Sequence, residues 1–303
     1  MPDSITFFGG GNMASAIMGG LARASAPGSI RVQVVDPLAA VGTRWIRDFQ
    51  AQWHPGVSAA ACTSACWVLA VKPQDMATLC AQLHDAAPDQ SALVLSVAAG
   101  IRLATLARWL GPQHRIVRSM PNTPALIGMG ISALYAGPRH EAANSHPNAE
   151  DPQARAGAAG LVTGDRRQAQ ALLQGVGETL WVNHEAQLDA VTAVSGSGPA
   201  YVFRFIEALQ DAATALGLDP EQARQLVLAT LHGATALART SALPPRVLRE
   251  QVTSKGGTTA AALAVMDQGD FPGLIRRALE AAASRSVELS QRADTAPGAG
   301  PTR

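Results

Sequence analysis

Two short clusters of glycine and hydroxyl residues carry the chemistry legible in the chain. The first, Gly9-x-Gly11-x-x-Ala14, follows the apolar run Ile5-Thr6-Phe7-Phe8 and opens a segment from Asn12 with helical apolar spacing. Its spacing suits a dinucleotide. One glycine allows the tight turn, the next lets backbone approach a pyrophosphate, and Ala14 permits close helix–strand packing. Free N–H groups and the dipole at the helix start favour the phosphates. An isolated match would mean only a turn. Here it follows a strand, opens a helix, and is answered by Asp36 at the end of the next strand, Arg31–Val35, so dinucleotide binding is the stronger reading.

The second cluster is Val252-Thr253-Ser254-Lys255-Gly256-Gly257-Thr258-Thr259. It resembles a phosphate loop only superficially, because its lysine precedes the glycines. A helix-leading turn with several free N–H groups suits one carboxylate better. A generic Gly-Ser run would be a flexible linker. This one is short, bounded by Val252 and an apolar helix from Ala260, and offers the hydroxyls of Ser254, Thr258 and Thr259.

The elements that position these clusters alternate at first between strand and helix. Arg31–Val35, Trp67–Val71, Leu93–Val97 and Arg115–Arg118 read as buried parallel strands. Helices are expected over Leu38–Gln50 and Asp75–Leu83. Lys72-Pro73, Ala98-Ala99-Gly100 and Pro121-Asn122-Thr123 close three of the strands. In an open α/β sheet such carboxyl ends line one crevice beside the glycine turn. Gly130–Ala136 adds a strand, 137–160 a polar loop, Asp165–Gly175 a helix and Thr179–Val182 a last strand.

From Glu185 the chain turns Ala/Leu-rich and helical. The expected organisation is a dinucleotide-binding domain over 1–184, a helical dimerisation and substrate domain over 185–291, and a disordered tail over 292–303. The helix Pro199–Leu216 is apolar well beyond one face, so it needs burial on two sides, one of them a second subunit. Asp219-Pro220-Glu221-Gln222 has the signature of a capping box.

Composition narrows the partners. The chain has 303 residues, with 24 Lys plus Arg against 23 Asp plus Glu, so no basic surplus recommends nucleic acid or an anionic membrane. A small-molecule ligand is expected. Cys62, Cys66 and Cys80 match neither a zinc site nor a disulfide framework, and no metal is expected. No leader and no apolar run of about 18 residues is present, so a cytoplasmic protein is expected.

With these motifs in hand, the chain resembles the pyrroline-5-carboxylate reductase family. The likeness runs from Phe8-Gly9-Gly10-Gly11-Asn12-Met13-Ala14 through Ala70-Val71-Lys72-Pro73-Gln74, Val97-Ala98-Ala99-Gly100 and Met120-Pro121-Asn122-Thr123-Pro124. It continues through Ser195-Gly196-Ser197-Gly198-Pro199-Ala200-Tyr201 to the second cluster. The resemblance implies an α/β Rossmann domain holding NADPH, with NAD possible, and an all-helical dimerisation domain. It also implies an active site where helices of two subunits meet, and reduction of 1-pyrroline-5-carboxylate to L-proline. The residues implied for the cofactor are Gly9, Gly11, Asn12, Met13, Ala14, Asp36, Ala70, Lys72, Pro73, Val97, Ala99 and Asn122.

For the substrate, the resemblance implies that Gly257, Thr258 and Thr259 hold the carboxylate, with the Thr259 hydroxyl near the ring nitrogen as the catalytic group. Ser254, Gln251 and Glu185 border the pocket. Two departures stand out. The 137–160 loop is longer than the family's, and Asp36 suits a ribose 2′-OH better than the 2′-phosphate of NADPH, with Arg44 the offsetting cation. A cyclic imine is already electrophilic, so hydride addition needs positioning more than acid–base catalysis. Two other readings compete. A β-hydroxyacid dehydrogenase would place Asn four residues after a catalytic Lys, but Lys72 is followed there by Met76 and Lys255 by Thr259. A non-catalytic NAD(P)-binding regulator would not need the second cluster.

Overall fold

The computed structural model describes residues 2–26, 28–137, 161 and 164–295. Apart from Gly137, the expected 137–160 loop lies outside them. The expected tail begins inside a helix that runs to Thr295, and its remainder also lies outside the described residues.

The chain forms two compact units, one of residues Met1–Gly196 with Ala282–Arg303 and one of Ser197–Ala281. The first is an α/β unit. Its strands are β1 (Ser4–Phe8), β2 (Arg31–Val35), β3 (Gln52–His54), β4 (Cys66–Leu69), β5 (Leu93–Ser96), β6 (Arg115–Met120), β7 (Gly130–Tyr135) and β8 (Gly177–Trp181). They make one sheet in the order β3-β2-β1-β4-β5-β6-β7-β8. Only the β6–β7 pair is antiparallel. Its helices are α1 (Asn12–Ala24), α2 (Ala39–Phe49), α3 (Met76–Ala86), α4 (Leu103–Leu110), α5 (Asp165–Gln174) and α6 (Gln187–Val191).

The sheet is covered on both faces, which is why its central strands are almost wholly apolar. Neighbouring residues divide between two cores. Phe7, Val68 and Leu95 pack with Ile17, Leu21, Trp45 and Leu172 on one face. Phe8, Trp67, Leu69 and Val94 pack with Met76, Leu83, Leu106 and Leu110 on the other. Cys62, Cys66 and Cys80 are free and buried in these layers. Burial pushes the Cys66 and Cys80 thiols up to about 12.

The helical unit holds α7 (Gly198–Ala215), α8 (Pro220–Thr240), α9 (Pro245–Gln251) and α10 (Thr258–Gln268), and α11 (Phe271–Thr295) begins there. The capping box at Asp219 is formed. Its side chain accepts the Glu221 and Gln222 N–H groups at 3.0 Å, and Gln222 returns the contact to the Asp219 N–H. No residue of α7 is buried, and Phe203 is 58% and Leu216 87% exposed.

The unit boundary differs from the expected 184/185. Residues 185–196 belong with the sheet because Glu185 and Leu188 pack into it, and Ala282–Thr295 returns to it as the far half of α11. There Ser286 donates to Asp189 at 2.6 Å, and Asp294 binds Thr105 and lies 3.4 Å from Arg102.

His114, 1% exposed, lies against Trp67 with ring centroids 4.8 Å apart and accepts the Ala92 N–H on Nδ1. Burial, assisted by nearby His84, holds its pKa down to about 4, from an ordinary 6.5. Below pH 6.5 the unfolded chain takes up this proton before the folded one does. Stability is therefore full above pH 6.5 and falls as pH drops toward 4, by at most about 3 kcal/mol. Denaturation midpoints at pH 7.5 and 4.5 measure this, and His114→Gln is expected to show the smaller pH dependence.

Candidate functional site

In the α/β unit the chain passes from β1 outward to β2 and β3, then returns to β4 on the other side of β1. This is a topological switch point, where doubly wound sheets bind ligands at the carboxyl ends of their strands. The parallel register brings Gly9, Asp36, Ala70 and Val97 to that edge, each just beyond its strand. Gly9 has φ +94°, and a Cβ there would stand 2.9 Å from the Ala70 carbonyl. Only glycine fits so close an approach.

Gly11 serves differently. It is the N-cap of α1 with ordinary φ, no side chain caps the helix, and a Cβ would meet nothing within 4 Å. The first N–H groups of α1 therefore face an open space that a side chain would fill, which fits a pyrophosphate. Asn12 is exposed beside it, Met13 packs on the core and Ala14 is buried. Lys72 is exposed at the start of the turn Pro73–Asp75, and Ala99 is half-buried. Asn122 accepts the Ile131 N–H on Oδ1 at 2.9 Å, fixing the entry to β7.

Asp36 and Arg44 both grip the turn itself. Asp36 accepts the Gly10 N–H on Oδ2 and the Leu38 N–H on Oδ1, each at 2.9 Å. Arg44 donates to the Gly10 carbonyl at 2.6 Å and to Ser15 Oγ at 3.1 Å. Trp45 Nε1 donates to the same carbonyl at 2.9 Å. The sequence reading set Asp36 and Arg44 in opposition over a ribose, whereas here they hold one peptide from its two sides.

Glu185 lies in the α/β unit at the start of α4. Its Oε1 accepts the Leu103 N–H at 2.6 Å and meets Arg118 Nη1 at 2.6 Å. Sequence reasoning missed Arg118, although a charged residue inside the apolar strand Arg115–Met120 is a visible anomaly.

The other expected substrate residues, Gln251, Ser254, Gly257, Thr258 and Thr259, belong to the helical unit. Gln251 ends α9, and a tight turn follows in which Gly256 has φ +72° and the Gly257 N–H donates to the Ser254 carbonyl at 3.1 Å. Gly257 is the N-cap of α10, again without a side-chain cap. The N–H groups of Thr258 and Thr259 head the helix, and neither hydroxyl makes a hydrogen bond among the described residues. The Thr259 hydroxyl thus does not cap its own helix, and the Gly257 N–H already has an acceptor.

The family described as pyrroline-5-carboxylate reductase dimerisation matches residues 185–289, and that described as NADP oxidoreductase, coenzyme F420-dependent, matches 4–100. The chain is 41% identical to a pyrroline-5-carboxylate reductase of Pseudomonas aeruginosa over 95% of its own length and 97% of the relative's. It is 40% identical to that of Haemophilus influenzae, covering 94% and 97%. A solved reductase from Coxiella burnetii superposes with TM-score 0.80 at 34% identity, covering 95% and 98%. A Plasmodium falciparum pyrroline carboxylate reductase solved with NADP bound gives 0.75 at 26%, covering 95% and 98%.

The two glycines make opposite predictions. Gly9→Ala forces a side chain onto backbone at positive φ and is expected to cost about 1–3 kcal/mol of stability. Gly11→Val should melt within a degree or two of wild type, yet weaken NADPH binding at least tenfold. Thermal melts and NADPH titrations on both variants check this.

Proposed function

The chain belongs to the pyrroline-5-carboxylate reductase family, and from that premise we propose which of its residues carry the reaction. The enzyme reduces the C=N bond of 1-pyrroline-5-carboxylate to give L-proline at the expense of NAD(P)H. The dihydronicotinamide supplies the hydride to the imine carbon, and a proton completes the N–H bond. No strong acid or base is needed, so the protein's task is to hold the imine carbon in line and stabilise its nitrogen.

The carboxylate is bound by the N–H groups of Thr258 and Thr259 at the head of α10, where the dipole favours an anion. Gly257 contributes its lack of a side chain, and Ser254 and Gln251 border the same turn. Glu185 is proposed to border the substrate pocket, as the family resemblance implies. The Thr259 hydroxyl orients and polarises the ring nitrogen. The observation that carries this assignment is that Thr259 heads a helix without using its hydroxyl to cap it.

Gly9, Gly11, Asn12, Met13 and Ala14 take the pyrophosphate. Asp36, Ala70, Lys72, Pro73, Val97, Ala99 and Asn122 line the rest of the coenzyme crevice. NADPH is the expected coenzyme with NADH accepted, because neither Asp36 nor Arg44 is left uncommitted to select one. Apolar side chains such as Phe203, Leu216 and Val265, 58%, 87% and 68% exposed, are covered by a second copy of the chain, making a homodimer the basic unit. No helix among the described residues is long and apolar enough to cross a membrane. We propose a cytoplasmic enzyme whose partner is a small-molecule substrate, without nucleic-acid or membrane partners.

Thr259→Val keeps the shape and removes the hydroxyl. Its kcat/KM for pyrroline-5-carboxylate is expected to fall tenfold or more, about 1.4 kcal/mol, with NADPH affinity and melting temperature unchanged. Unaltered kinetics would remove Thr259 from the mechanism. In the wild type, kcat/KM for NADPH over NADH is expected to stay below about a thousandfold, or 4 kcal/mol. Turnover of the imine also excludes the β-hydroxyacid dehydrogenase and the non-catalytic regulator.

A further inference from the structure

Arg118 is a cation inside the sheet. On β6 it stands in register between Ser96 of β5 and Tyr135 of β7, and it is 7% exposed. A charge so placed destabilises the fold unless it is paired. Its Nη1 meets Glu185 Oε1 at 2.6 Å, and its Nε has no partner among the described residues. The same Glu185 oxygen accepts the Leu103 N–H at 2.6 Å, the first free donor of α4. One carboxylate oxygen thus joins a buried cation of the sheet to the positive end of a helix.

Residues 97–102 connect β5 to α4 and contain Val97 and Ala99. At its first end this connection is fixed by the Val97 N–H on the Leu69 carbonyl at 3.1 Å. At its other end it is fixed by what holds the first turn of α4. That is Glu185 from one side and Asp294, bound to Thr105 and near Arg102, from the other.

We propose that Arg118 is a positioning residue for the coenzyme: by holding Glu185 on the N-terminus of α4 it sets the path of residues 97–102. The inference rests on the reading of Val97 and Ala99 as coenzyme contacts. Without the guanidinium, no other cation among the described residues is paired with the Glu185 carboxylate. The carboxylate is then free to turn toward water, and the 97–102 connection keeps only Asp294 of the two holds at its far end.

The test is titration with NADPH by quenching of intrinsic fluorescence, with melting temperatures from the same preparations. Arg118→Met is expected to raise the NADPH dissociation constant at least tenfold, and Arg118→Lys, which keeps the cation, to stay within threefold of wild type. In steady state the Met variant should show a raised KM for NADPH with kcat at saturation changed less than threefold. The double variant Arg118→Met, Glu185→Gln strands no buried charge, so it decides the matter if the single variant fails to fold. A folded Met or double variant with wild-type NADPH affinity overturns the proposal, as does a Lys variant no better than Met. Ala99→Val separates the two levels. If it binds NADPH like wild type, the reading of the loop as a coenzyme contact fails and takes the proposal with it. If it weakens binding and the Arg118 variants do not, the proposal alone fails.

Discussion

The peptide of Gly10 is bonded on both sides by the second βα unit, its N–H to Asp36 and its carbonyl to Arg44 and Trp45. Hydrogen bonds to charged groups are the stronger kind, about 1.5–3 kcal/mol each. Two of the three here are of that kind. They keep the turn between β1 and α1 in shape whether or not a ligand is present, so binding need not order it. Because Asp36 and Arg44 act on the same peptide, their charges largely cancel there. The field left for a phosphate is that of the α1 N-terminus.

This arrangement explains which parts of the site were legible in the sequence. Gly9, Gly11 and Ala14 are required by local geometry, a positive φ, an open approach and a buried helix start, and local geometry leaves a spacing pattern. The switch from strand to helical periodicity beside them was equally local. The contacts of Asp36 and Arg44 with the Gly10 peptide were not legible. Spacing brings a carboxylate to the end of the second strand but does not say whether it faces outward or back onto residue 10. Arg118 and Glu185 lie 67 positions apart, and no periodicity records such a pair. Only the charge inside an apolar strand hinted that something must meet it.

The same limit governs the architecture. Long apolar strands and the capping box at Asp219 were readable because burial and capping act over a few residues. The three-residue β3 and the eight-residue α4 were not, being too short for a period to show. The change of composition at Glu185 marks where helices begin, yet the compact unit ends at Gly196. Packing draws that boundary, through the seating of Leu188 in the core and the hydrogen bond of Ser286 to Asp189. Neither contact has a signature in the sequence, since helical periodicity runs through α11 without a break.

The discontinuity of the α/β unit bears on how the chain matures at the ribosome. Domains generally fold as units from the N-terminus during synthesis. Here the sheet is complete long before Ala282 is made, but one of its cores waits for Ala293 and the first turn of α4 for Asp294. In that interval the helices α7 to α10 emerge with their apolar faces bare, ahead of the segment that finishes the unit preceding them. A nascent chain paused there has a nearly finished nucleotide fold tethered to adhesive helices. It is the stage at which a chaperone, or another nascent copy, has most to grip.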